Sequence, residues 1–451
     1  MTRSPRDPRP AAAPREPRSP RSSMLAGAPL AVLLSVIGLA IVALGTFALG
    51  SGDLPFNIGG GGKTNPNASG GTGGNGGAAK TPTPSNIVVV PTDMPATLKV
   101  PGTLVYAKDG NIWLQSNGQA NQLTTGGNDS MPSFSADGQT VYFIRVRLMP
   151  GNWGLGCDPY NPYDLCKNGN RGTMNGFEMN VPSVMAVPVA GGTAKTVIDG
   201  LINAPGTTRI NAFILEPVVS ADGKTLALAT DLPDPTGGAD VRIKLLNLSS
   251  GHLADPKLAD VAPLGQQDPA WRPDGRMLAY VMNNHNQDRS TGAPQICIYI
   301  PATGDSRAIS GPGYLHPSWS PDGKYIAATK TSAYGTDVVI LNASTGAEVT
   351  TLTQDGTSWA PAWSPAGDQI AFLHVSGQVV DLRLVTLAGS YGDWTPGDAV
   401  DLTQDAGLDS ISRPDWYVPA DQIPAATPAP AATGGSPTAP ANSSSAAPSP
   451  S

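Results

Sequence analysis

One short stretch returns along this chain, and its return constrains the fold more than any other feature. Pro317-Ser318-Trp319-Ser320-Pro321-Asp322-Gly323-Lys324 runs into Tyr325-Ile326-Ala327-Ala328-Thr329. Alone it predicts a strand, a tight turn and a second strand. Pro presets φ, Asp bonds its own backbone, and Gly accepts a positive φ. Trp319 is placed to enter a core. Related stretches begin at Pro132, Pro217, Pro269 and Pro361, and a half copy, Pro414-Asp415-Trp416-Tyr417-Val418, ends the series. The leading prolines stand 85, 52, 48, 44 and 53 residues apart.

Repeats of about 40–50 residues with several short strands each are the signature of a β-propeller. One such sheet is too small to fold alone, so neighbours must stack. The segments Gly102–Tyr106, Asp109–Leu114 and Asn121–Thr124 read as the second, third and fourth strands of a unit without a first. Pro414–Val418 reads as a first strand without the rest. Joined, the two ends make one blade and remove two exposed sheet edges. The expected fold is therefore all-β: a six-bladed β-propeller over 98–420 with terminal strand closure.

The quoted residues resemble the PD40 (WD40-like, TolB-type) repeat family of six-bladed propellers. The pattern Pro-x-Trp-Ser-Pro-Asp-Gly-Lys is nearly complete at Pro317 and good at Pro269 and Pro361. It is weaker at Pro132 and Pro217, where Ala136 and Ala221 replace the second proline. At Pro361 the acid is displaced to Asp368, which leaves that turn's geometry open. The resemblance implies a protein-binding or accessory role at the cell envelope, an analogy of fold and not of site.

Outside the repeats the chain changes character. Residues 1–23 hold six arginines and two acids among prolines and read as a disordered cytoplasmic tail. Residues 24–50 carry no charge and are long enough for one membrane-spanning helix, which needs about 20 apolar residues. The basic flank places the N-terminus in the cytoplasm and the propeller outside. A cleaved signal peptide is the rival reading, but its apolar core is normally only about 7–15 residues. Residues 51–97 form a Gly/Pro-rich linker, and 421–451 an Ala/Pro/Ser-rich disordered tail. The net charge of the whole chain is −7, and without the basic tail it is more acidic still, which argues against a nucleic-acid partner.

The long first interval implies an insertion over 145–184. It contains Trp153, Tyr160, Tyr163 and Arg171, and Cys157 and Cys166 close a short loop there. Outside a membrane such a pair reads as a disulfide. The insertion is either a stapled surface loop or a recognition loop carried on a rigid scaffold. Cys297, mid-strand, reads as a buried free thiol.

The residue ahead of each leading proline begins an innermost strand, so these six ring one mouth of the central channel. They are Met131, Glu216, Asp268, His316, Ala360 and Arg413. Glu216, Asp268, His316 and Arg413 make a candidate ligand site, with solvated loop residues as the plain alternative. No nucleophile elbow follows the propeller, the four histidines fall in separate repeats, and no metal-binding or phosphate-binding motif stands out. The expectation is a chain that is not an enzyme and needs no cofactor: a membrane-anchored, exported module that binds a protein, peptide or other ligand. Two alternatives stay open. One is an extracellular sensor signalling through a cytoplasmic partner. The other is a glycan hydrolase or lyase at the channel mouth, favoured if three or more carboxylates or histidines converge there.

Overall fold

The computed structural model describes residues 99–154, 173–203, 209–233, 241–256, 258, 265–283, 293–390 and 392–423. They form six antiparallel sheets arranged as a six-bladed propeller. The innermost strands are Asp129–Phe134, Ile214–Val219, Gln266–Trp271, Tyr314–Trp319, Ser358–Trp363 and Asp415–Tyr417. The last of these comes from the far end of the chain and pairs with Thr103–Lys108, placing Leu104 against Trp416 and Val105 against Asp415. Both termini thus share one blade. The expected membrane helix lies outside the described residues, and among those described no helix is long and apolar enough to cross a membrane.

The second strands explain why the blades stack. Thr225–Thr230, Leu278–Met282 and Gln369–Ser376 are buried on both faces, because each sheet is covered by a neighbour on either side. They therefore read as continuous apolar runs without alternation. Small residues such as Ala227, Ala279, Ala327 and Ala371, all fully buried, let adjacent sheets approach. The apolar clusters lie between blades. One joins Ala279, Val281 and Ile296 of the third to Ile326, Ala328 and Val339 of the fourth.

The Ser-Pro-Asp-Gly turn is built as its residue types require. Ser320 Oγ donates to Asp322 Oδ1 (2.7 Å) and accepts the Tyr325 N–H (3.0 Å), while Asp322 Oδ1 also accepts the Lys324 N–H (3.0 Å). Where the acid is displaced to Asp368, Ser364 Oγ instead accepts the Ala366 N–H at 3.2 Å. Gly367 then opens to φ +95°, against +67° at Gly323. The turn survives in altered form. Gly138 has a second duty at the equivalent turn of the first blade. A Cβ there would lie 2.2 Å from the Tyr417 ring, so only glycine lets the closing strand pack.

The insertion differs from the expected loop. Its flanks continue the blade as one long hairpin, with Thr140–Gly154 paired against Thr173–Pro188 from Thr140–Pro188 out to Gly154–Thr173. A regular strand pair satisfies the backbone donors and acceptors that a wandering loop would leave to water. Arg145 sits level with Asp129 at the start of the inner strand, and residues 146–154 continue beyond it. Through Asn152 the hairpin also pairs with Arg209 of the short strand Arg209–Asn211, and its Met179 and Val181 are buried, so its base is seated against the lead-in to the next blade. Tyr160, Tyr163, Arg171, Cys157 and Cys166 lie outside the described residues, whereas the Trp153 backbone pairs with Met174 in the hairpin. Cys297 is a free thiol, 1% exposed, and burial pushes it up to about 11.

Asp231 follows the second strand of its blade, 7% exposed, with Oδ1 accepting the Phe213 N–H at 2.8 Å. Burial pushes its carboxyl from 3.8 to about 6, against that hydrogen bond. The folded state holds the proton more tightly than the unfolded one. Its stabilising contribution is therefore complete below pH 4 and is lost as pH rises through 6. Asp231→Asn keeps an acceptor for Phe213 and removes the buried charge. It should be more stable than the wild type by about 2 kcal/mol at pH 8 and equal to it at pH 4. Urea denaturation at the two pH values measures this, and the same difference at both would contradict it.

Candidate functional site

Proline cannot donate to a sheet ladder, so a proline inside a strand forces a local rearrangement. In five inner strands the ladder skips two residues, and in each case these are the residue before the leading proline and the proline itself. The skipped Met131, Glu216, Asp268, His316 and Ala360 all take φ between +50° and +55°. Such a conformation is uncommon and strained for a residue with a Cβ. In four of the five the freed backbone N–H reaches the preceding blade. Asp268 N–H donates to Glu216 (2.5 Å), His316 N–H to Asp268 (2.9 Å), Ala360 N–H to Thr329 (2.9 Å) and Met131 N–H to Ser412 (2.8 Å). The ring is therefore a hydrogen-bonded belt between blades, which neither the ligand-site nor the solvated-loop reading of the sequence had included.

Charge gathers at Glu216, Asp268 and His316 of three successive blades, and Arg413 reaches them from the closing blade across the ring. The Asp268 side chain is 1% exposed, with Arg413 Nε at 3.8 Å and His316 Nε2 at 3.9 Å. Arg413 also donates to the Pro269 carbonyl at 3.1 Å. Burial and the neighbouring Asp268 charge push the Glu216 carboxyl well above the usual carboxylate range. Burial works against Asp268 too, but His316, Arg413 and hydrogen bonds from Glu216 and the His316 N–H hold it below its ordinary value. Burial also lowers His316, whose Nδ1 lies 3.0 Å from Thr329 Oγ1. Two carboxyls and a histidine thus converge beside one guanidinium.

The inner strands enclose a cavity of about 490 Å³. Its ionisable lining residues, among those described, are Glu216, Arg413 and Asp415. Asp268 and His316 stand behind this surface. The leading prolines supply apolar wall, and Trp271, Trp319, Trp363 and Trp416 contribute aromatic surface. The cavity stays open because its middle layer is small: Ser133, Val218, Ala270, Ser318 and Ala362, with Asp415 as the sixth member. Burial raises the Asp415 carboxyl, although it accepts the Phe134 and Trp416 N–H groups at 2.8 Å each. Asp415 is not among the residues expected at the channel mouth. Its signal was present, since it is the one charged residue at the x position of Pro-x-Trp.

Ser358, His374 and Asp355 also meet. Ser358 Oγ is 3.0 Å from His374 Nδ1 and 3.0 Å from Asp355 Oδ2, and Asp355 Oδ2 is 3.4 Å from the same Nδ1. A serine hydrolase needs its histidine to bridge serine and acid through opposite ring nitrogens. Here both partners face one nitrogen and Ser358 is fully buried, so the trio ties strands together.

No family model matches the chain. A stretch of 131 residues, 28% of this chain, is 33% identical to the "Uncharacterized peptidase YuxL" of Bacillus subtilis (strain 168). The matched stretch is 20% of that protein, so the chain spans about a fifth of the length of this curated relative. Among solved structures, TolB from Acinetobacter baumannii is similar with a TM-score of 0.48 at 17% identity, over 70% of this chain and 66% of that one. An oligogalacturonate lyase from Vibrio parahaemolyticus is similar with a TM-score of 0.39 at 16% identity, over 64% and 88%. The match to a protein named as a peptidase overturns the expectation of a chain that is not an enzyme. That expectation rested on missing motifs, and motifs speak only for the chemistries they encode.

Proposed function

We propose that this propeller is a peptide-binding module whose central channel takes one end of a polypeptide, in the service of peptide processing. The observation that carries this is the 490 Å³ cavity, apolar and aromatic along its walls, onto which Glu216, Arg413 and Asp415 open. A largely preformed apolar cavity with a few convergent polar groups is how a fold holds a small ligand. The name of the curated relative supports a peptide as the ligand class. In this reading residues 24–50 tether the ring to a membrane with the channel on the outer side, where peptides meet it. Trialanine amide is a suitable probe, followed by calorimetry. Ala270→Phe, which fills the middle layer from one wall, should leave thermal unfolding unchanged and abolish binding. Undiminished binding by that variant would remove the channel from the proposal.

The divergence of Glu216 and Asp268 supports a second reading. Paired carboxyls with separated proton affinities are the arrangement that supplies an acid and a base at one pH. Glu216, facing the cavity and holding its proton, would protonate the leaving amine while a water adds to the acyl carbon and passes its proton to the Asp415 carboxylate, and Asp268 holds Arg413 and Glu216 in place. Release of free amines from a peptide mixture by the wild type, lost in Glu216→Gln with binding retained, is the expected outcome. No release by the wild type would dismiss this chemistry and leave the binding reading standing.

A further inference from the structure

The repeat supplies its own control for what each belt residue has to be. In the middle layer, Ser318 accepts the N–H of Trp363 in the next blade at 2.9 Å. One blade pair further round, Asp415 does the same for the Phe134 N–H at 2.8 Å. A neutral hydroxyl therefore suffices for the structural task. The upper layer repeats the comparison. Ser412 and Thr329 serve Met131 and Ala360 with hydroxyls, whereas Glu216 serves Asp268 with a carboxyl. At both positions the charge exceeds what blade pairing requires, and burying a charge costs free energy unless something compensates it.

Charge facing the cavity is also unbalanced. Arg413 is matched by Asp268 behind it. Glu216 and Asp415 face the cavity and share that same guanidinium with Asp268, so three carboxyls have one arginine between them, and no lysine and no second arginine lines the cavity among the described residues. His316, the remaining titratable group on the belt, stands outside the lining.

We infer that the channel is a receptor for a single primary ammonium group, with Glu216 and Asp415 as its two carboxyl contacts, Glu216 releasing its proton to solvent as the ammonium enters. This rests on the peptide-binding reading above and names the chemistry of the end that enters: a peptide amino terminus or a lysine side chain. An ammonium supplies hydrogen-bond donors and positive charge together, as two carboxylates require. Binding should show a window in pH. It weakens in acid as Glu216 and Asp415 take up protons, and again above about pH 8 as an α-amino group loses its own. Both carboxyls are pushed up by burial in the empty channel, so the acid limb should lie above the usual carboxylate range.

Calorimetry with trialanine amide and N-acetyl-trialanine amide at pH 7 tests this. The free amine should bind at least about tenfold tighter, the difference a charged hydrogen bond makes. Asp415→Ser copies the solution used at Ser318 and should fold, so it should keep binding while losing most of that preference. Glu216→Gln is the independent second variant and should behave alike. N-acetyl-Ala-Lys-Ala-amide binding as tightly as the free amine would assign the lysine side chain as the source. Equal affinity for free and acetylated peptides would overturn the inference and leave the channel as a peptide site. Binding of none of the three probes would overturn both.

Discussion

Trp416→Ala is expected to destabilise the propeller by about 3–5 kcal/mol, the cost of removing a large side chain from a packed core. Trp416 is 5% exposed and belongs to the cluster that holds Leu104, Leu384 and Leu402. Its indole N–H donates to the Pro101 carbonyl at 2.8 Å, so the substitution also strands an acceptor. Its position makes the loss more severe than size alone suggests. The strand Asp415–Tyr417 is three residues long and carries the C-terminal end into the blade begun by Thr103–Lys108 as its innermost strand. Weakening it reopens the ring and exposes two sheet edges. Urea denaturation monitored by circular dichroism measures the effect. A loss below about 1 kcal/mol would mean that the ring does not depend on this closure.

Arg145→Ala is expected to cost a similar amount, about 3–5 kcal/mol, for an electrostatic reason. Arg145 Nε and Nη2 grip Asp129 at 2.6 and 2.7 Å, and the Asp129 side chain is 0% exposed. Removing the guanidinium leaves a carboxylate in the interior with neither water nor a partner. The pair itself is worth far less than this penalty, so Arg145→Ala combined with Asp129→Asn should recover much of the loss. Denaturation of the single and double variants measures the difference. A double variant as unstable as the single one would show that Arg145 acts through the packing of its aliphatic stem. The pair sits where the long hairpin leaves the inner strand, so the variant also reports how firmly that hairpin is seated.

Much of this architecture was legible in the sequence because a repeat reports its own geometry. Five proline-led stretches and a half copy give the blade count, and the missing strand at one end matches the surplus strand at the other. The same argument placed Glu216, Asp268, His316 and Arg413 on one ring. It could not see that the residue ahead of each proline would turn to positive φ. That turn follows from a ladder that has lost one donor, and it commits four of the five freed N–H groups to a neighbouring blade. The four candidates divide on another ground, their place relative to the cavity. Glu216 and Arg413 line the cavity, while Asp268 and His316 hold them from behind. The insertion was misread for a related reason. The strands extend past their blade by pairing mainly with each other and, at Asn152, with the short strand Arg209–Asn211, contacts that lie far apart in sequence and leave no repeat to read. Asp415 was overlooked because the half copy was used to count blades, and its odd residue was not weighed against Ser133, Ala270 and Ser318.

The central claim is that the channel, and not the outer hairpin, receives the ligand. A crystal structure of the protein grown with trialanine amide tests it most directly. The account expects difference density for the peptide inside the ring, its ammonium within hydrogen-bonding distance of Glu216 and Asp415. Ordered peptide along the hairpin formed by Thr140–Gly154 and Thr173–Pro188, with the channel holding only water, would contradict it.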